Sequence, residues 1–307
     1  MTRAVVFAYH DVGCRCLGVL LDQGVEVPLV VTHADDPNET LWFGSVASLA
    51  RERGLATITP DDPNSRDTVE RVRSLVPDFV FSFYYRIMLG SALLAIPRRG
   101  AFNMHGSLLP KYRGRAPVNW AVLNGETETG ATLHEMVEKP DAGRIVDQEA
   151  VPIAPDDLAV DVFRKVTGAA ERVLARSLPK LVAGSAVLRA QDLSRGSYFG
   201  GRRPEDGRID WSQPAKRIHD LVRAVAPPYP GAFTQLQGKR LRVLRTRLLP
   251  RREAAPRPAY LRAEGGRCLV ECADGGGLEL LEPELDGEPL SAQEFANRIG
   301  NRRIAML

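Results

Sequence analysis

The segment NMHGSLLPKYRGRAP, residues 103–117, concentrates polar and cationic side chains between glycines and prolines. Asn103 and His105 are two residues apart, so both project from the same face of an extended chain. An amide can donate to an oxygen that gains negative charge, and an imidazole can move the proton of an attacking amine. A later carboxylate, Asp141 in KPDAG, is available to orient that imidazole. This set suits acyl transfer, although an Asn and a His beside glycine are also compatible with a purely structural turn.

The elements that must position these residues follow an α/β pattern. In the first half, short β-type runs alternate with helical patterns, which is typical of a parallel sheet with crossover helices. The segment 100–106 brings Asn103 and His105 to the end of a strand, where open parallel sheets bind their ligands. The predicted strands are 4–9, 27–32, 79–84, 100–106 and 129–137, and the predicted helices are 14–23, 42–53, 66–75, 116–124 and 160–182, the last broken locally at Gly168 and Pro179.

The composition changes after residue 191. The stretch LSRGSYFGGRRPEDG is rich in glycine and charge and reads as a linker, and one more helix is predicted over 215–225. After Pro227 the pattern is one of short strands and turns, which favours a small β-rich domain, with a barrel as one form. We therefore predict a first domain over 1–191, a linker over 192–206 and a β-rich domain over 207–307.

The segment KRLRVLRTRLLPRR, from Lys239 to Arg252, contains seven basic residues and no acidic one. It is compatible with a nucleic-acid surface. The alternative is a strand whose outer face is solvated, with Leu241, Val243 and Leu248 turned inward. We favour the strand, because no aromatic residue interleaves to stack on bases.

The composition excludes several functional classes. The 307 residues carry a formal charge of only +3, from 41 basic and 38 acidic residues, so a global polyelectrolyte role is not expected. No apolar stretch is long enough for a signal peptide or a membrane span, which favours the cytosol. After the first strand there is no G-x-G-x-x-G, and there is no P-loop, so neither a dinucleotide cofactor nor P-loop chemistry is expected.

No residue spacing predicts a metal site. The cysteines pair as 14/16 and 268/272, without a C-x-x-C, and are expected to be reduced structural thiols. His10, His33, His134 and His219 are each isolated in the sequence. We expect structural or surface roles for them, although His10 directly follows the first strand and is near the predicted site.

A resemblance to a known family covers most of the chain. The segment FNMHGSLLPKYRGRAPVNWAVLNGETETGATLHEM is similar to the signature of the folate-dependent formyltransferases, and VVFAYHDVGC, GSVASLARERG, FSFYYR and RAVAPPYPGAF match in the same order. The chain most resembles the formyltransferase domain of the bifunctional enzyme that acts on UDP-4-amino-4-deoxy-L-arabinose. The resemblance implies an α/β, Rossmann-like formyltransferase domain with a small C-terminal β-barrel-like (OB-like) domain. Because this chain stops at Leu307, the NAD-dependent decarboxylating domain of that relative is expected to be absent.

The resemblance also implies which residues act. Asn103, His105 and Asp141 match the catalytic residues of the family. No metal is expected, and 10-formyltetrahydrofolate is the expected formyl donor. The implied folate contacts are Ile87, Met88, Leu89, Arg115, Val137, Glu138, Lys139, Pro140 and Asp141.

The implied acceptor is the 4-amino group of a UDP-linked aminosugar, UDP-4-amino-4-deoxy-L-arabinose, which implies a role in lipid A modification and polymyxin resistance. Three alternatives stay open: a methionyl-tRNA formyltransferase, a formyltransferase for another nucleotide-linked aminosugar, and a folate-binding protein without turnover. The first would use the basic segment 239–252 to bind tRNA, but GRAPVNW and ETETGATLHEM resemble the sugar enzymes. Nucleic-acid and membrane partners are therefore not expected, and the sequence leaves the oligomeric state open.

Overall fold

The computed structural model describes residues 1–36, 41–251, 258–300 and 302–306. Within this part of the chain, no helix is both long and apolar enough to cross a bilayer. The chain divides into two compact units. The first comprises Met1–Pro117, Glu128–Val151 and Phe163–Gly200, and the second comprises Val118–Thr127, Pro152–Val162 and Gly201–Leu307.

Helices and strands alternate in the first unit, whereas strands dominate the second. The strands are β1 Arg3–Ala8, β2 Glu26–Val31, β3 Thr57–Ile58, β4 Phe79–Phe83, β5 Gly100–His105, β6 Arg113–Gly114, β7 Glu128–Glu135, β8 Ile145–Pro152, β9 Tyr198–Phe199, β10 Ala232–Leu236, β11 Lys239–Val243, β12 Thr246–Leu249, β13 Ala259–Glu264, β14 Arg267–Glu271, β15 Gly277–Leu280, β16 Pro283–Leu285, β17 Glu288–Pro289 and β18 Ile304–Met306. The helices are α1 His10–Asp22, α2 Val46–Glu52, α3 Arg66–Ser74, α4 Ser91–Leu94, α5 Pro117–Leu123, α6 Ala159–Ala183, α7 Ala215–Val225 and α8 Ala292–Ile299.

The central sheet of the first unit determines where a ligand can bind. Over the described residues its strand order is β3-β2-β1-β4-β5-β7-β8. The strands from β3 to β5 run parallel, whereas β7 pairs antiparallel with β5. The strand order reverses between β1 and β4, and a doubly wound sheet opens a crevice at that point, outside the carboxyl ends of its strands.

The sequences of β1 and β4 explain their central position. They read RAVVFA and FVFSF, and every residue of β4 is buried. A strand covered on both faces needs such a continuous apolar run. Phe7 and Val80 belong to the core cluster between sheet and helices, to which α3 contributes Val72 and α4 contributes Leu93.

Helix α2 is shorter than predicted. It begins at Val46 rather than at residue 42, because the Ser45 hydroxyl accepts a backbone N–H of the first turn and caps the helix there. Trp42 and Phe43 therefore lie outside the helix, and their rings pack on His10 with centroid distances of 4.6 and 3.8 Å.

Helix α6 was predicted to break at Gly168 and Pro179, and this prediction is wrong, because the helix runs unbroken through both. A proline inside a helix deprives the carbonyl four residues earlier of its N–H donor. Here that carbonyl belongs to Ala175, and Gln23 Nε2 donates to it at 2.8 Å. The hydrogen bond lost inside the helix is thus replaced by one from α1's C-cap residue.

Antiparallel sheets make up most of the second unit. In the described residues their strand orders are β10-β11-β16-β17 and β12-β15-β14-β13-β18. The predicted fold class is confirmed: the protein has an α/β part with a mostly parallel central sheet, and a C-terminal antiparallel β domain.

The basic segment forms two strands, β11 and β12, which belong to different sheets. Leu241 and Val243 are fully buried, as predicted. The prediction for Leu248 is wrong: this side chain is 36% exposed, because β12 is an edge strand of its sheet. Arg252, the last residue of the segment, lies outside the described residues.

Candidate active site

A cavity of about 1080 Å³ opens in the first unit at the carboxyl ends of β1, β4 and β5. Its wall includes Tyr9 and His10 after β1, the segment 84–89 after β4, and Asn103 and His105 in β5. The cavity therefore lies at the crevice that the strand order creates.

The structure brings most of the predicted site residues together. Glu138 and Lys139 are the exceptions, because both are exposed and neither lines the cavity. Tyr198, from the range predicted as a linker, also lines it. The predicted residues in the wall are Ile87, Met88, Leu89, Asn103, His105, Arg115, Val137, Pro140 and Asp141.

The backbone holds the His105 ring in one orientation. His105 is 6% exposed, and its Nε2 lies 2.8 Å from the carbonyl oxygen of Tyr112. Because a carbonyl only accepts, this nitrogen carries a hydrogen. The Nδ1 atom lies 3.6 Å from Asp141 Oδ1. Nδ1 is therefore the nitrogen that can take up a proton, and a carboxylate lies beside it to stabilise the resulting charge.

Asp141 is kept ionised by its surroundings. Its Oδ2 accepts the Gly114 N–H at 2.8 Å, and its Oδ1 faces His105 and, at 3.4 Å, His134 Nε2. Burial acts to raise the pKa of Asp141, but the positive charge that His105 and His134 carry when protonated, together with the Gly114 hydrogen bond, outweighs it and holds that pKa well below its usual value. The site thus contains a fixed negative charge at neutral pH.

The loop that carries Asp141 is tightly turned. Asp141 has φ of 51°, in the left-handed region that Asp and Asn tolerate better than most residues. Two residues later, a side chain at Gly143 would collide with the carbonyl oxygen of Glu135. Only glycine lets the loop return this closely to the end of β7. The position of the carboxylate therefore depends on both Asp141 and Gly143.

His134 belongs to the site, although sequence analysis favoured a structural role. It is 1% exposed, and its Nδ1 lies 2.8 Å from the Glu135 carbonyl oxygen, so Nδ1 carries the hydrogen. Its Nε2 can then accept from Asn103 Nδ2 at 3.1 Å. The antiparallel register that places Asn103 opposite His134 is the signal that could have identified this residue.

The hydrogen bond from one of its two amide hydrogens therefore fixes the orientation of the Asn103 side chain. His134 accepts one, and the other is available to a ligand in the cavity. An amide held in this way is a preorganised donor for an oxygen that gains charge during a reaction.

Much of the cavity wall is apolar and suits a flat conjugated ring. Asn64 fixes the loop that forms it, since its side chain donates to the Met88 carbonyl at 2.9 Å and accepts from the Gly90 N–H at 2.6 Å. Arg86 and Arg115 add positive charge to the wall and can bind carboxylates. The apolar residues are Ile87, Met88, Leu89, Leu94, Met104, Met136, Val137 and Pro140.

Backbone strain is concentrated around the cavity. Positive φ angles at non-glycine residues cost free energy and accumulate at functional sites. His10, Tyr84, Ala116 and Asp141 line the cavity with φ between 50° and 68°, and Tyr112, whose carbonyl holds His105, has φ of 57°. The fold therefore maintains this geometry at a cost to its stability.

Comparison with protein-family models decides the family. The model described as formyl transferase matches residues 18–178, and the model for the formyl transferase C-terminal domain matches residues 202–300. The chain belongs to the formyl transferase family. The predicted enzyme class is thereby confirmed.

Solved structures similar to this formyl transferase share its fold. One is the N-formyltransferase from Helicobacter canadensis in complex with folinic acid and dTDP-3-aminofucose, with 19% identity, a TM-score of 0.71, and coverage of 91% of this chain and 99% of that one. WlaRD, a sugar 3N-formyl transferase, has 19% identity and a TM-score of 0.71 over 93% of this chain and 98% of that one. A sugar N-formyltransferase from a Shewanella species has 22% identity and a TM-score of 0.63 over 79% and 96%.

The cavity of this formyl transferase combines three kinds of functional group. The cavity brings together an amide at Asn103, an imidazole at His105 and a carboxylate at Asp141 beside that imidazole. Groups of these types can stabilise an oxyanion and move a proton. In the described ranges, no group of three or more His, Cys, Asp and Glu side chains is arranged to hold a metal ion.

Proposed function

We propose that this formyl transferase moves the formyl group of 10-formyltetrahydrofolate to the amino group of a nucleotide-linked aminosugar. The observation that carries the proposal is the convergence of Asn103, His105 and Asp141 on one cavity. Ligands of solved relatives support both substrates, since one was solved with folinic acid and dTDP-3-aminofucose and another with dTDP and 5-N-formyl-THF.

The cavity fits these substrates in size and chemistry. Its volume of about 1080 Å³ slightly exceeds the roughly 300–1,000 Å³ of a pocket for one drug-sized ligand. The apolar wall from Ile87 to Leu89 would hold the pterin ring, and Arg115 would bind a carboxylate of the folate tail. The side of the cavity near Tyr9, His10 and Tyr84 then remains for the acceptor.

Each of the three residues has a defined role in the proposed reaction. Asn103 Nδ2 donates a hydrogen bond to the formyl oxygen as the neutral amine bonds to the formyl carbon and that oxygen gains charge. His105 Nδ1 takes the proton that the amine loses, and it returns the proton to the folate nitrogen when the carbon–nitrogen bond to folate breaks. Asp141 stabilises the positive charge that His105 carries between these steps.

For the acceptor we propose UDP-4-amino-4-deoxy-L-arabinose, and with it a role in lipid A modification and polymyxin resistance. The support is the resemblance of the segment 102–136 to the sugar enzymes. We further propose residues 1–191 as the catalytic domain, because nearly all of the cavity wall comes from this range.

The basic segment argues against a tRNA acceptor. A surface that binds nucleic-acid phosphates needs cations that are free to neutralise them and so displace the counterions of the nucleic acid. Most cations of this segment instead face acidic partners within the second unit. The pairs are Lys239–Asp286 at 3.2 Å, Arg242–Glu284 at 2.8 Å, Arg245–Glu282 at 3.8 Å and Arg247–Glu279 at 3.0 Å.

A mass-spectrometric screen tests the proposal. The enzyme is incubated with 10-formyltetrahydrofolate and, separately, with UDP- and dTDP-linked 3- and 4-aminosugars and with methionyl-initiator tRNA. We expect one added formyl group on UDP-4-amino-4-deoxy-L-arabinose. Transfer only to the tRNA, with a steep loss of activity as salt increases, would contradict the proposal. Binding of the donor with no transfer to any acceptor would indicate a folate-binding protein.

A further inference from the structure

His10 lines the cavity, but the proposed reaction does not use it. It is the first residue of α1, directly after β1, and it adopts φ of 68°. Its Nδ1 accepts the backbone N–H of Asp11 at 2.9 Å. Because Nδ1 is an acceptor, the hydrogen of the neutral ring is on Nε2. The structure records no partner for Nε2 among the described residues.

Aromatic rings hold the His10 imidazole from several sides. Phe43 stacks on it at 3.8 Å with an interplanar angle of 25°, and Trp42 and Phe163 each meet it edge-on at 4.6 Å. The side chain is 12% exposed, and this remaining part borders the cavity. The ring is therefore fixed in position before any ligand binds, which lowers the entropy lost on binding.

The surroundings also keep His10 uncharged. Burial, together with the nearby charge of Arg86, lowers the pKa of His10 to about 3. At neutral pH the imidazole is thus a neutral hydrogen-bond donor at Nε2. It is poorly suited to general acid–base catalysis, which needs a pKa near the working pH.

The spacing between the strand ends that carry His10 and His105 is comparable to the length of one sugar. β1 and β5 flank β4 in the sheet, and neighbouring strands lie about 4.8 Å apart, so the ends of β1 and β5 are about 10 Å apart. Tyr84 follows β4 and lies between them. Its ring centroid is 6.3 Å from that of His10, and its hydroxyl lies so close to Gly106 that a side chain added there would collide with it. His10, Tyr84 and His105 all line the cavity, so a monosaccharide bound over Tyr84 can contact residues at the ends of both strands.

We propose that His10 is a specificity-determining residue that recognises the acceptor sugar, with its Nε2–H donating to a sugar hydroxyl while the amine faces His105. This inference rests on the proposed function. The proposed reaction requires this orientation, because the amine must lie beside His105 to lose its proton, which leaves the sugar hydroxyls to accept the Nε2–H. The ring of Tyr84, which lines the cavity, provides apolar surface for the carbon face of the sugar.

Three substitutions separate the proposed hydrogen bond from a structural role. His10→Gln retains an N–H donor near the position of Nε2. His10→Phe retains the ring packing without the donor. His10→Asn suits the positive φ and can still accept the Asp11 N–H, but it does not reach the Nε2 position. Steady-state formylation of UDP-4-amino-4-deoxy-L-arabinose and of its 2-deoxy and 3-deoxy analogues is measured for each variant, with thermal melting as the check on folding.

We expect His10→Phe and His10→Asn to raise the KM for the sugar about tenfold, with kcat and the KM for the folate donor nearly unchanged, and His10→Gln to stay within about threefold of wild type. For the wild-type enzyme, kcat/KM should be about tenfold lower with one of the deoxy analogues than with the parent sugar. For His10→Phe, the parent sugar and that analogue should give the same kcat/KM.

Equal KM values in the Phe and Gln variants, or an undiminished deoxy penalty in His10→Phe, would overturn the inference while leaving the proposed function intact. Absence of formyl transfer by the wild-type enzyme to any sugar would overturn the proposed function, and this inference with it.

Discussion

Replacing Asp141 by Asn removes one charge from the site with little change in shape. Asn has nearly the same size, tolerates the positive φ at this position, and retains an oxygen that can accept the Gly114 N–H. The variant therefore isolates the electrostatic contribution of Asp141 to formyl transfer.

The distance between the charges sets the expected loss. Asp141 Oδ1 lies 3.6 Å from His105 Nδ1, and both side chains are mostly buried. Two unit charges about 4 Å apart interact by about 4 kcal/mol at an effective dielectric constant near 20. The Asn dipole recovers part of this stabilisation, so we expect a loss of about 2–4 kcal/mol in the transition state, which lowers kcat about 30- to 1000-fold.

Single-turnover transfer to the acceptor sugar measures this loss directly. Because the charge on His105 develops only after the sugar has bound, the KM for the sugar should change less than about threefold. Asp67→Asn is the matched control, since Asp67 is exposed on α3. A rate for Asp141→Asn within about fivefold of wild type, in folded protein, would refute the electrostatic role.

Further substitutions test the other parts of the site. Asn103→Ala should lower single-turnover kcat by about 100-fold or more, and a loss below about tenfold would exclude an oxyanion role. His134→Phe should lower kcat about tenfold by releasing the Asn103 amide, while His134→Gln, which can still accept from it, should recover most of the rate. Gly106→Ala should abolish activity, because its side chain collides with Tyr84; unchanged kinetics would contradict this. The depressed pKa of Asp141 stabilises the fold above its unfolded pKa of about 3.8. Chemical denaturation should therefore show the wild-type advantage over Asp141→Asn shrinking as the pH falls below that value.

The first half of the fold was predictable because its signals are local. Continuous apolar runs such as those of β1 and β4 identify buried strands without knowledge of their neighbours. The two-residue spacing of Asn103 and His105 placed both on one face, and the structure has both in the cavity wall. Asp141 was available as a carboxylate that could orient the imidazole, but its assignment to the same site rested on resemblance to a family, because no local pattern connects a loop residue to a strand 36 positions earlier.

The residues that sequence analysis misjudged depend on long-range pairing. His134 reaches Asn103 only because β7 runs antiparallel to β5 in one register, which the sequence pattern did not specify. Leu248 follows the alternation of its neighbours, but it lies on an edge strand that is not covered at that point. The sequence pattern predicts Trp42 as the start of a helix, whereas the helix begins after the cap at Ser45, and Trp42 packs on His10.

Single-turnover formyl transfer by His105→Ala tests the central claim most directly. Wild-type and variant enzyme are mixed in excess with 10-formyltetrahydrofolate and UDP-4-amino-4-deoxy-L-arabinose, and the formylated sugar is quantified over time. If His105 moves the amine proton, the variant should be slower by about 100-fold or more, with an unchanged melting temperature. A folded His105→Ala enzyme that transfers the formyl group at a rate near that of wild type would contradict the account.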